Sequence, residues 1–117
     1  MRESDLQNQI RIELSKYGLP FRTNSGEFYQ GTRIFSKEFQ QDVLIHLRRI
    51  TGLPKGFSDL LFVGDNTVAF IECKKPDGTI RPDQIRFLKQ MQQLNHHVGV
   101  ARNVNDALQI INGGILL

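Results

Sequence analysis

The stretch from Asp59 to Lys74 constrains this chain more than any other. Asp59–Val63 and Thr67–Cys73 are short apolar segments rich in β-branched and aromatic residues, the composition expected of strands. Gly64-Asp65-Asn66 lies between them and reads as a hairpin turn. A two-residue turn at Asp65-Asn66 pairs Gly64 with Thr67, and counting back along the ladder sets Asp59 opposite Glu72. Directly opposed residues hold their side chains about 5 Å apart on one face. Lys74, two residues beyond Glu72, shares that face. A slip of one residue would send Glu72 to the other side. The register therefore predicts two carboxylates and an ammonium group at one end of an otherwise apolar sheet.

The surrounding pattern supplies the elements that cover this hairpin. Leu6, Ile10 and Leu14 recur every four residues, so residues 3–17 are expected to form a helix that stops at Gly18. Leu19–Thr23 is a short strand candidate, ended by Asn24-Ser25-Gly26. Residues 27–50 read less cleanly. Val43, Ile45 and Leu47 share a face in strand period, whereas Leu44, Leu47 and Ile50 sit at helical spacing. The preferred reading is a second hairpin, with strands near Thr32–Phe35 and Val43–Arg48. Lys75-Pro76-Asp77-Gly78 is a turn. Pro82 opens a helix to about Asn95, since proline is favoured at the first helical position. Val98–Ala101 is a strand. A last helix, Asp106–Ile111, is capped by Asn103 or Asn105 and ended by Gly113-Gly114. The expected fold is α/β, a central mixed β-sheet flanked by helices on both sides.

At 117 residues the chain fits one domain, expected to span 1–117 and to stand alone. Its single cysteine, Cys73, excludes an internal disulfide and a cysteine-based zinc site. No apolar run approaches the ~20 residues of a membrane helix, and the N-terminus lacks a signal-peptide core. A cytoplasmic, membrane-free protein is the expectation. The net charge of +3 permits a nucleic-acid partner without requiring one.

Charged residues are rarely buried unless paired or bound to metal. Two carboxylates at the predicted separation repel each other, and a divalent cation between them removes that cost. All-oxygen ligands select hard ions such as Mg²⁺ or Mn²⁺. The main-chain carbonyl of Cys73 would offer a third oxygen. Such an ion lowers the pKa of water and stabilises charge on a phosphate. Lys74 would orient or deprotonate the water, or neutralise the developing oxyanion. An isolated Glu-x-Lys is usually a solvated ion pair, so the weight rests on its context. That context is Gly56-Phe57-Ser58-Asp59-Leu60 before the hairpin and Pro76-Asp77-Gly78, Arg81-Pro82-Asp83-Gln84 and Phe87-Leu88 after it.

Taken in order, these segments, together with Phe21–Gly26 and Gly52–Gly56, resemble the virus-type replication-repair nuclease (VRR-NUC) domain of the PD-(D/E)xK superfamily. The resemblance covers almost the whole chain. It implies a restriction-endonuclease-like α/β core, dependence on Mg²⁺ or Mn²⁺, and endonuclease action on DNA. By position, Asp59 and Glu72 would be metal ligands and Lys74 the catalytic lysine. Ser58 stands where the superfamily name has proline, a mild departure because a metal needs the carboxylate. An acid on the first helix often completes such sites. Glu3 is the best candidate, with Gln7 one turn later, although Glu3 also fits a solvated first-turn acid. Gln84, at a helix start, would contact water or DNA. Arg22, Ser25, Lys75 and Arg81 flank the centre as candidate DNA contacts. His46, His96 and His97 lie away from it, and Cys73 reads as a packed apolar residue rather than a nucleophile. Free-standing domains of this kind act as dimers and are often viral or phage-borne. The resemblance therefore implies a homodimer acting on branched DNA such as four-way (Holliday) junctions or flaps. A non-catalytic DNA-binding module of the same fold is the alternative.

Overall fold

A computed structural model of the protein describes residues 1–23 and 27–117. Its elements, in chain order, are α1 (Glu3–Leu14), β1 (Leu19–Arg22), β2 (Glu27–Ser36), β3 (Gln41–Thr51), β4 (Leu60–Gly64), β5 (Thr67–Cys73), α2 (Pro82–Gln93), β6 (His97–Ala101) and α3 (Val104–Ile111). Four strands form a mixed sheet in the order β1-β4-β5-β6, with β5 and β6 parallel and the other pairs antiparallel. The parallel pair needs a crossover, which α2 supplies. The expected mixed sheet with helices on both faces is what the chain forms.

The central hairpin has the predicted register, from Gly64↔Thr67 to Leu60↔Ile71. Asn66 turns the chain with φ 53°, a left-handed conformation that asparagine tolerates. Alternation along the strands then sorts side chains to two faces. Leu60, Phe62, Ala69 and Ile71 face one way and pack with Leu6 and Ile10 of α1 and Ile110 of α3. Phe70 and Val98 face the other way and pack with Leu88 of α2, with Leu61 and Val68 half-covered beside them. Burying an apolar side chain of this size contributes about 1.5–3 kcal/mol, so these two clusters hold the core together.

β5 is buried almost throughout, as a strand covered on both faces should be. β4 is not, which departs from the sequence expectation. On the α2 side the helix spans only β5 and β6, leaving Leu19, Phe21 and Val63 of β1 and β4 exposed.

The first helix ends at Leu14, three residues before the expected limit, in a turn closed by Tyr17 N–H on the Leu14 carbonyl (2.9 Å). The second hairpin exists and is longer than predicted. β2 and β3 form a separate two-stranded sheet that pairs only with itself. Among the described residues it has no substantial packing on any core element. The molecule is accordingly long, 53 × 31 × 27 Å, with a radius of gyration of 17.0 Å against about 13 Å for a compact chain of this length.

The register of this arm shifts between Gln30 and Thr32, where β3 carries an extra residue and His46 takes φ 54°. Such a bulge redirects the side chains that follow it. Leu47 therefore does not share a face with Val43 and Ile45, as simple alternation predicted. A Cβ placed on Gly31 would lie 3.1 Å from Leu47 Cδ2 and 3.4 Å from Leu44 Cβ, which puts both leucines over Gly31 on the opposite face.

Candidate active site

The predicted constellation forms at the end of the sheet where β4 begins and β5 ends. Asp59 immediately precedes β4, and its backbone is tied to the end of β1, with Thr23 N–H donating to the Asp59 carbonyl at 3.0 Å. The Thr23 hydroxyl donates to the Ser58 carbonyl. Ser58, in the position of the superfamily's proline, is fully buried and its hydroxyl donates to the Leu60 carbonyl (3.0 Å). The aspartate carboxylate turns across the hairpin, where Asp59 Oδ2 accepts from Cys73 N–H at 2.9 Å. Within a strand, the N–H and C=O of one residue face the same neighbour. The Cys73 carbonyl thus faces the Asp59 side as well.

Glu72 is 1% exposed. Its Oε1 accepts from Gln84 Nε2 at 3.0 Å, whereas Oε2 is buried with no hydrogen-bond partner. Burial, followed by the neighbouring Asp59 carboxyl group, pushes the Glu72 pKa up to about 9. Lys74 pulls it down and Glu3 pushes it up further. All three groups therefore lie close enough to Glu72 to act on its charge. A buried carboxyl group beside a second carboxylate, with one oxygen unsatisfied, is costly for an empty protein.

Gln84 is 5% exposed and does not face outward to water or DNA, as its place at a helix start suggested. It is the third residue of α2, and its Oε1 accepts from Arg81 N–H at 3.0 Å. That bond uses the amide oxygen, so the amide nitrogen must be the end that meets Glu72. The helix cap and the acid are joined through one side chain. Gly56 helps to set this distance. It adopts φ +93°, and a Cβ there would come within 2.8 Å of the Asp83 carbonyl, so only glycine lets the 52–56 loop lie against α2.

Glu3, half-exposed in the first turn of α1, contributes its charge at the edge of the site. Gln7 is half-exposed one turn on. Arg22 is exposed at the end of β1, and Lys75 is exposed directly after Lys74. Arg81 is exposed and bonded through Nε to Asp83 Oδ1 (3.2 Å), which holds the Asp83 carboxyl below its ordinary pKa. Ser25 lies outside the described residues. Burial pushes the Cys73 thiol up, with the nearby carboxylates adding to the effect, so it stays protonated. His96 stacks edge-on against Phe70, and His97 Nδ1 lies 3.1 Å from the Ile111 carbonyl. Neither reaches the acids.

Arg102 is the residue that the sequence did not reveal. Its Nη1 donates to the carbonyls of Lys75 (2.6 Å) and Gly78 (2.9 Å), clasping the turn that follows Lys74. Lys74 N–H donates to the Ala101 carbonyl at 3.1 Å, so both ends of this turn are anchored to the end of β6. No local pattern could have identified Arg102, because its partners lie 24 to 27 residues away.

Among the described residues, no three side chains of histidine, cysteine, aspartate or glutamate form a complete metal cluster. Asp59, Glu72 and the Cys73 carbonyl nevertheless fit a hard cation, because the unsatisfied Glu72 Oε2 and the adjacent carboxylates are the features one would satisfy. No helix among the described residues is long and apolar enough to cross a membrane. No curated protein matches the sequence. The family model for the VRR-NUC domain matches residues 1–105. With nine-tenths of its length matched and a mixed α/β sheet of the expected kind, the chain belongs to the VRR-NUC family of nucleases, which share a PD-(D/E)xK-like fold.

Proposed function

We propose that this protein is a Mg²⁺- or Mn²⁺-dependent DNA endonuclease, acting as a homodimer on branched DNA such as four-way junctions or flaps. The observation that carries the reading is Glu72, buried beside Asp59 with one oxygen unsatisfied and its pKa raised. Evolution rarely keeps an acid in that position without a cation to compensate it. Asp59, Glu72 and the Cys73 carbonyl would hold the ion. When bound, the cation supplies Lewis acidity at the phosphate and a lower pKa for water.

The remaining roles belong to the chain itself. Gln84 fixes the Glu72 carboxyl group through Oε1 and leaves Oε2 open to the site. Lys74 holds the attacking water or balances charge that develops on the phosphate oxygens. Glu3 adds negative charge at the rim of the site and strengthens its pull on cations. Arg22, Lys75 and Arg81 are placed to contact the DNA backbone, as Ser25 is by sequence. Such contacts position the substrate without reading its sequence. A two-fold dimer would present two centres to two strands, which suits a branched substrate.

The test is a panel of single-stranded, duplex, flap and four-way-junction DNA, incubated with Mg²⁺, with Mn²⁺ or with chelator. The reading expects cation-dependent cleavage, strongest on the branched substrates, and none by Lys74→Ala or Glu72→Gln. Protein that binds Mg²⁺ yet leaves every substrate intact would point instead to a DNA-binding module.

A further inference from the structure

The chain carries two apolar surfaces that do not meet each other. One is on the arm. Phe28, Ile34, Val43, Ile45 and Ile50 alternate onto one face of the β2–β3 sheet by the observed register. Phe28 and Ile34 are each 40% exposed, and no core element covers that face. The other is the strip on the core sheet that α2 leaves bare. Leu19 and Phe21 of β1 lie beside Val63 and Leu61 of β4, and Leu19 and Phe21 are 63% and 49% exposed.

From these surfaces we infer that two copies of this chain exchange arms, each laying its apolar arm face on the bare strip of the other. The inference rests on the homodimer reading above and assigns the surfaces that make it. Both halves of the contact are present in one sequence, which is what a two-fold interface requires. The size also fits. Ten paired residues make an arm about 33 Å long and about 10 Å wide. Two exchanged arms would remove about 1,300 Å² of surface from water, within the range of specific stable interfaces.

DNA is a poorer occupant for the arm. Its face is apolar, and two of its arginines are engaged within the arm, Arg33 near Asp42 (3.8 Å) and Arg48 with Gln30 (2.7 Å). The strip lies on the α2 side of the sheet, the side on which Gln84 of α2 meets Glu72. An arm seated there borders the other copy's cleft, so the contact that pairs the copies also shapes the surface that receives DNA.

The test combines light scattering with cross-linking on the full chain. Wild-type protein is expected to be a dimer. Ile34→Lys on the arm and Phe21→Lys on the strip should each weaken association about 100-fold or more, because each would bury an unpaired charge. Both positions are exposed in the single chain, so circular dichroism should be unchanged. Separately, Ile34→Cys and Phe21→Cys chains are mixed and treated with a short bis-maleimide, while buried Cys73 stays inert. Cross-links joining one chain of each kind are expected. A monomeric wild type, a dimer that survives both lysine substitutions, or no cross-link between the mixed chains would overturn the proposal. Mn²⁺ binding by the same lysine variants keeps the two readings apart. It persists if only the arm exchange is wrong, and it is absent from the wild type if the nuclease centre is wrong.

Discussion

The two sheets of this protein use similar residues to opposite ends. In the four-stranded core, Leu60, Ile71 and Val98 are fully buried against helices of the same chain. In the arm, Phe35 and Leu47 are 58% and 57% exposed although they sit in equally regular strands. Strand propensity thus explains both sheets, and burial explains only one. The core gains its stability from packing on α1, α2 and α3 and can hold a costly acid at its end. The arm contributes little to the stability of a single chain, and its apolar residues make sense as a surface for another molecule.

The largest effect should come from the charged end of the core. Lys74→Ala or Glu72→Gln is expected to slow single-turnover cleavage by two to three orders of magnitude or more, on the order seen when one transition-state contact is removed. Neither should change association measured by light scattering. If an arm substitution slowed cleavage of plain duplex as much as Lys74→Ala does, the division between the two regions would fail.

Packing gives the next contrast. Leu60→Ala should cost about 2–5 kcal/mol in denaturant unfolding, because Leu60 is fully enclosed between β5 and the α1–α3 layer. Phe35→Ala, at the exposed end of the arm, should cost less than about 0.5 kcal/mol in dilute monomer. Equal costs would mean that the arm packs on the core.

The third contrast concerns pH. In cation-free protein Glu72 keeps its proton when folded and loses it at an ordinary value when unfolded. Between those two values the native state binds more protons than the unfolded state, so stability falls as pH rises. The slope for one group is at most about 1.4 kcal/mol per pH unit. The melting temperature measured in chelator should therefore drop from pH 5 to pH 8. Glu72→Gln should flatten the drop and raise the melting temperature at pH 8. Adding Mg²⁺ should rescue the wild type and leave the variant unmoved.

The smallest effect is local. Asn103 caps α3, its side-chain oxygen accepting from Asp106 N–H at 2.7 Å. Asn103→Ala should cost about 1 kcal/mol. That loss should appear in core unfolding and leave arm-dependent association unchanged.

The parts legible in the sequence are those fixed by local chemistry. The Asp65-Asn66 turn sets the register that brings Asp59 toward Glu72, and Pro82 and Asn103 mark helix starts, so the mixed sheet and the acid pair follow. The illegible parts depend on contacts between distant segments. Gln84 reads as a surface residue until α2 docks and turns it onto Glu72. Arg102 has no partner within its own neighbourhood beyond Asp106, to which only its backbone N–H donates. Leu47 changes face because His46 enters a left-handed bulge, a conformation its residue type does not announce. The bare strip beside α2 is set by how far one helix reaches across a sheet, which periodicity along a single strand cannot report.

The central claim is that Asp59 and Glu72 together hold a hard cation, and calorimetric titration of Mn²⁺ near pH 7.5, in two buffers of different ionisation enthalpy, tests it most directly. The account predicts one ion per chain with release of close to one proton, since Glu72 must ionise to act as a ligand, and loss of both signals in Asp59→Asn and Glu72→Gln. Binding of equal strength in all three proteins, or uptake by the wild type without proton release, would contradict it.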